Sequence, residues 1–286
     1  MQPAGIAPEW DEAYPSREIL RAEADAMRES IVEAVVEVLP AGSVLGIYAG
    51  GSSVKPWDTV IDYVPEISDV DIHLLLTDAA LLEEDLERTF AVQANYEARF
   101  AGRVGARLHY PRPQVVVINR LLGDPAFMGP PRGITRTLSG RPHEEVRPPP
   151  TDMEFVRRVD RERLLEPRER AWAAGLPAHT LDRPSRYLWQ PVRDASWRVA
   201  PTGPRVLSVL GASFDEAWGH NRTGVVERLL AAGQREFAEA YVGYYVAAWQ
   251  FFRSGYQDGE AARSALRHAK RVLDLGFEAG RRSGGG

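Results

Sequence analysis

The sequence predicts an α+β fold in which a mixed sheet with flanking helices is followed by a mostly helical domain. Three observations predict it. Short apolar runs of strand character punctuate the chain before residue 120, helical spacing of apolar residues dominates after 152, and the Pro/Gly/Arg-rich stretch 123–150 lies between them. At 286 residues the chain is long enough to bury a sizeable core and to divide in two. The expected domains are 1–150 and 151–286, with the proline-rich stretch as linker.

The elements follow in order. Residues 16–39 carry Ile19, Leu20, Ala24, Met27, Ile31, Ala34, Val35 and Val38 at helical spacing, with Ser16 as N-cap and Pro40 and Gly42 as the stop. "SVLGIYA" (43–49) reads as a buried strand entering the tight turn Gly50-Gly51-Ser52-Ser53. "SDVDIHLLLT" (68–77) reads as a second strand. Its period of two sends Asp69, Asp71 and His73 to one face and Val70, Ile72, Leu74 and Leu76 to the other. Residues 79–101 read as a helix, and "RLHY" (107–110) and "QVVVINR" (114–120) as strands. Beyond Asp152, helices are expected at 152–174, 223–232, 234–255 and 259–280, with 183–214 unassigned.

Composition narrows the function. A hydrophobic fraction of 44% and a charged fraction of 26% are those of an ordinary globular protein. No apolar stretch reaches the roughly 20 residues that span a bilayer, and the acidic, proline-interrupted start has no signal-peptide pattern, so a cytoplasmic location is expected. With no cysteine there is no disulfide, thiolate nucleophile or Cys-held metal. The net charge of -5 argues against a broad footprint on duplex nucleic acid, though not against a small nucleotide arriving with Mg²⁺.

Two carboxylates at i and i+2 on a strand point the same way, with Cα atoms about 6.5–7 Å apart, which suits joint capture of a hard cation. A Gly-Gly-Ser turn lets backbone approach a ligand and offers N–H groups and a hydroxyl to phosphate; a helix after the turn would add its positive end. Two charges at the start of an apolar strand are costly unless a cation compensates them. Gly51-Ser52 followed by Asp69-Val70-Asp71-Ile72 resembles the signature of the nucleotidyltransferase superfamily of DNA polymerase beta type, which includes aminoglycoside and minimal nucleotidyltransferases. The resemblance covers roughly residues 40–120. It implies a nucleotidyltransferase-type mixed sheet, ATP or another nucleoside triphosphate with Mg²⁺ or Mn²⁺, and transfer of a nucleoside monophosphate to an acceptor hydroxyl. By the same resemblance Asp69 and Asp71 are the metal-binding catalytic residues, and Gly51, Ser52 and Ser53 bind the nucleotide.

The sequence departs from that signature in two places. Sixteen residues separate Ser52 from Asp69, and this long loop carries Lys55, Trp57, Asp58, Asp62, Tyr63 and Glu66. It is read either as a contact for acceptor or base, or as a solvated loop with a packed Trp. The superfamily's third carboxylate, on a later strand, is matched by Gln114, which cannot act as a general base. Glu144, Glu145 and Asp152 are candidate substitutes, and a catalytically degraded nucleotide-binding or regulatory protein is the alternative function. A small-molecule acceptor is the expected partner, ahead of tRNA or protein, with a homo-oligomer left open and no membrane. His73 is expected to pack beneath the site. Arg183, Arg186, Arg193, Arg198 and Arg205 are read as surface arginines or a triphosphate clamp. The stripe Phe237, Tyr241, Tyr244, Tyr245, Ala248, Trp249, Phe252 and Tyr256 is read as core packing, a dimer face or an acceptor wall.

Overall fold

Residues 6–284 are described by the computed structural model. They form two compact units. One takes in Asp11–Pro56 and Ser68–Pro150, the other the described residues of Met1–Trp10, Trp57–Ile67 and Thr151–Gly286.

The first unit is α+β. Its first helix, α1 (Arg17–Val38), starts where the Ile19 N–H donates to Ser16 Oγ at 3.3 Å. Four strands, β1 (Val44–Gly50), β2 (Asp69–Leu76), β3 (Arg112–Val117) and β4 (Arg136–Gly140), make a mixed sheet of order β3-β2-β1-β4. β1 runs antiparallel to β2 and β4, and β3 runs parallel to β2. Val70, Ile72, Leu74 and Leu76 are all buried, on the β2 face opposite the aspartates. α1 packs on β1, β2 and the later helix α3, and it buries Leu20, Ala24, Met27, Ile31, Ala34 and Val35. Each fully buried Leu, Ile or Met contributes about 1.5–3 kcal/mol.

Several expectations are corrected here. The helix expected at 79–101 is a single turn, α2 (Ala80–Glu83), and then α3 (Leu86–Arg103). The break comes at Asp85, whose side chain accepts from the Arg88 N–H at 2.9 Å and caps a new helix. "RLHY" is not a strand. The buried carboxylate of Glu23 accepts from the Leu108 N–H at 2.7 Å and the His109 N–H at 3.2 Å, drawing this segment onto α1 just before β3. The linker reading of 123–150 misses β4 and the short α4 (His143–Val146).

The second unit is helical from residue 153: α5 (Met153–Leu164), α6 (Pro167–Leu181), α7 (Trp189–Val209), α8 (Phe214–Trp218), α9 (Arg222–Ala231), α10 (Arg235–Arg253) and α11 (Gly259–Arg282). The helix expected at 152–174 breaks before Pro167, because a proline disfavours helical backbone in the residue preceding it. α7 fills most of the unassigned region although it contains Pro201 and Pro204; its face is buried at Val192, Ala195, Val199, Val206 and Leu207. The aromatic stripe is core. Phe237, Tyr241, Tyr244, Tyr245 and Trp249 are buried, and α10 packs chiefly on α11.

Residues 57–67 are neither a solvated loop nor an open contact surface: they are core of the helical unit. Trp57, Val60, Ile61, Asp62, Tyr63 and Val64 are buried. Trp57 stacks on Tyr63 at 4.1 Å, and the Trp249 indole donates to the Val60 carbonyl at 2.7 Å. The Asp62 carboxylate accepts from the Asp58 and Thr59 N–H groups at 2.9 and 3.0 Å, and from the Thr223 N–H and hydroxyl at 2.9 and 2.7 Å. The Arg222 guanidinium donates to the Ile61 carbonyl and lies over the Tyr245 ring.

Candidate functional site

The sheet register brings the two halves of the motif together. Gly50, the last residue of β1, is paired with Asp71, and Tyr48 with His73. Gly51 has φ +68°, a left-handed backbone that glycine adopts without penalty. It also lies so close to Asp71 that any side chain there would overlap Asp71 Oδ2. Glycine is therefore required twice over, by conformation and by the carboxylate against it.

The turn is held from inside. Ser53 is fully buried, and its hydroxyl donates to the Gly50 carbonyl at 3.2 Å. Arg21 of α1 donates to the carbonyls of Ser53 (3.4 Å) and Lys55 (2.9 Å). Residues 51–55 are turn, and the chain enters no α-helix before β2. The helix that would add its positive end after the turn does not form, so no α-helix N-terminus follows the turn directly.

The parallel register pairs Asp69 with Arg112 and Asp71 with Gln114, so all four side chains share one face. The Arg112 guanidinium makes an ion pair with Asp69, which is only 7% exposed. With its amide turned so that the nitrogen faces the acceptor oxygens, Gln114 donates to Asp69 Oδ2 at 2.8 Å and to Asp71 Oδ1 at 3.0 Å. Gln114 thus stands at the third corner of the site, bridging the two carboxylates. Among the described residues no group of three or more His, Asp or Glu side chains could hold a metal ion. The side chain of Asp152 caps α5 in the helical unit, accepting from the Glu154 and Phe155 N–H groups, while Glu144 and Glu145 are exposed on α4.

The lower part of this face is packed. Tyr48, Leu75 and Ile118 cluster with Val116, Phe127 and Val146. His73 lies beside Phe127, whose ring is covered by the Arg147 guanidinium at 3.3 Å. Burial, reinforced by Arg147 and His143, pushes the His73 pKa down from 6.5 to about 4, so this imidazole is neutral. The polar end of the face carries the two aspartates, Arg112, Gln114 and the turn.

The arginines singled out in the helical unit are tied internally in three cases. Arg198 pairs with Glu169 and lies over Trp172, Arg193 pairs with Asp194 and lies over Trp197, and the charge of Arg205 interacts with buried Asp160. Two site residues were missed from sequence, Arg21 and Arg112. Arg112 was legible in principle, since it lies two residues before Gln114 and so shares its face; Arg21 carried no signal on α1.

No protein-family model matches the chain, and no curated protein matches it significantly. No helix among the described residues is long and apolar enough to cross a membrane.

The site fits a divalent cation in part. One amide nitrogen reaches both carboxylates within 3.0 Å, so an oxygen from each converges on a single point. The third position offers an amide in place of an acid.

Proposed function

We propose that the chain binds a nucleoside triphosphate with Mg²⁺ or Mn²⁺ and transfers its nucleoside monophosphate to an acceptor hydroxyl, most readily that of a small molecule. The observation that carries this reading is the packing of Gly51 against Asp71, which joins a phosphate-type turn to an acid pair in one place. Asp69 and Asp71 would hold the cation, and the backbone at Gly51 and Ser52 would approach the phosphates, with Ser53 acting through the turn that it stabilises. The bound cation supplies charge neutralisation on the phosphates and a polarised α-phosphorus. The acceptor oxygen bonds to the α-phosphorus, the bond to the β-phosphate oxygen breaks, and pyrophosphate leaves. The acceptor's proton passes to solvent water, since Gln114 has no basic oxygen to take it.

That last point favours a second reading, in which the same site binds nucleotide without transferring it. Calorimetric titration with each nucleoside triphosphate plus Mg²⁺, followed by a pyrophosphate-release assay across an acceptor panel, separates the two. Binding lost in Asp71→Asn together with pyrophosphate release supports the transferase. Binding without release supports the non-catalytic protein. No Mg²⁺-dependent binding of any nucleoside triphosphate refutes both.

A further inference from the structure

Two neighbouring carboxylates at the start of a strand, one of them buried, need positive compensation. In this structure that compensation comes from the chain itself, through the Arg112 ion pair to Asp69 and the Gln114 amide shared between Asp69 and Asp71. We infer that Arg112 and Gln114 are a built-in counterion occupying the seat of the divalent cation, so that metal enters only by displacing them. The inference rests on the proposed cation site and adds how that site is regulated.

The charge arithmetic gives it direction. The two aspartates carry two negative charges and Arg112 one positive, so these three side chains together present an arriving cation with minus one, and carboxylate oxygens are already engaged by N–H donors. The Gln114 amide is a two-state element. Its nitrogen serves the carboxylates in the absence of metal, and a turn about its terminal bond would present its carbonyl oxygen, a neutral ligand for a hard cation. The displaced Arg112 guanidinium is a fork suited to phosphate oxygens. Cation and phosphate are then expected to arrive together, and metal alone to bind weakly.

The test uses the full chain, freed of metal with EDTA, and Mn²⁺ alone as probe, read by electron paramagnetic resonance titration and by thermal melting. Gln114→Glu adds a charge a few ångström from the cation and is expected to tighten Mn²⁺ on the order of tenfold, a conservative share of the attraction at an intermediate dielectric. The same variant is expected to melt below wild type in EDTA and to recover in Mn²⁺, while wild-type melting barely responds to EDTA. Arg112→Met and Gln114→Ala are expected to shift Mn²⁺ affinity the same way by a smaller factor, and adding Asp71→Asn to Gln114→Glu should abolish the gain. A Gln114→Glu protein that folds only with Mn²⁺ present also supports the inference; if it folds in neither condition, Gln114→Ala decides. Mn²⁺ affinity unchanged or weakened in the folded variants, or wild type destabilised by EDTA as far as Gln114→Glu, overturns it. The proposed function fails separately, when wild type takes up no metal-nucleotide although Gln114→Glu has tightened Mn²⁺.

Discussion

Asp62 and Asp69 are buried carboxylates a few residues apart in sequence, Asp71 is half-buried beside Asp69, and the two places are satisfied in different ways. Asp62, in the helical unit, accepts from three backbone N–H groups, of Asp58, Thr59 and Thr223 at the first turn of α9, joined by the Thr223 hydroxyl and the Asn221 side-chain amide. Burial pushes its pKa up, and the hydrogen bonds from Thr59 and Thr223 oppose that rise. The partners of Asp69 and Asp71, in the α+β unit, include the ends of two side chains, Arg112 and Gln114, which can swing away. Donors anchored in backbone mark a carboxylate that organises structure. Donors on side-chain tips mark one that can exchange partners, as a binding site must.

The sharpest way to break the contrast is Asp62→Ala. It strands several buried donors and is expected to cost about 3–5 kcal/mol, a loss visible as a fall in melting temperature. A fall no larger than that of a surface substitution would show that Asp62 is dispensable to the fold. Next comes Gly51→Ala. Left-handed strain and the forced displacement of Asp71 from Gln114 are expected to cost about 2–3 kcal/mol by chemical denaturation, together with metal-nucleotide binding. Asp71→Asn removes one of two adjacent like charges, so its expected change in stability is within about 0.5 kcal/mol of zero. If it melted as deeply as Asp62→Ala, the division into structural and exchangeable carboxylates would collapse.

A subtler measurement concerns Glu23, whose buried carboxylate positions the approach to β3. Burial pushes its pKa up, but the hydrogen bonds from His109 and Leu108 outweigh this and hold it below 4.5. A carboxylate depressed by folding contributes stability that is present above its unfolded pKa and lost as the pH falls through the folded value. Wild type is therefore expected to lose stability below about pH 4.5 more steeply than Glu23→Gln in parallel acid-denaturation curves. Parallel curves would remove Glu23 from the account.

Much of the α+β unit was legible in the sequence because its elements announce themselves locally. The α1 stripe, the β1 run into Gly50-Gly51 and the alternation of β2 each fit one period, and the register then joins Gly51 to Asp71. β4 escaped detection because "RTLSG" is short, mostly exposed and set among prolines and glycines, so neither hydrophobic period is expressed. α7 escaped because Pro201 and Pro204 count against a helix locally, and only tertiary burial of its apolar face outweighs them. The core role of 57–67 was hidden for a different reason. Its burial partners, such as Trp249 and Thr223, lie more than 160 residues away in sequence, beyond the reach of any local pattern. In the site itself, residue types and spacing pointed to Asp69 and Asp71, while the orientation of Gln114 toward both of them required the parallel register of β3.

The placement of Trp57–Ile67 has a consequence for synthesis. A ribosome completes the Gly-Gly-Ser turn, this segment and the aspartate strand well before it makes α9 and α10, whose side chains enclose Asp62 and Val60. A nascent chain of 150 residues therefore carries Val60, Ile61 and Tyr63 without their final apolar surroundings and Asp62 without Thr223, between two segments otherwise ready to pair. The strand pairing of Gly50 with Asp71 is thus spanned by a stretch whose own folding waits for the last third of translation. A chain released at Pro150 would be exposed to proteolysis in that stretch.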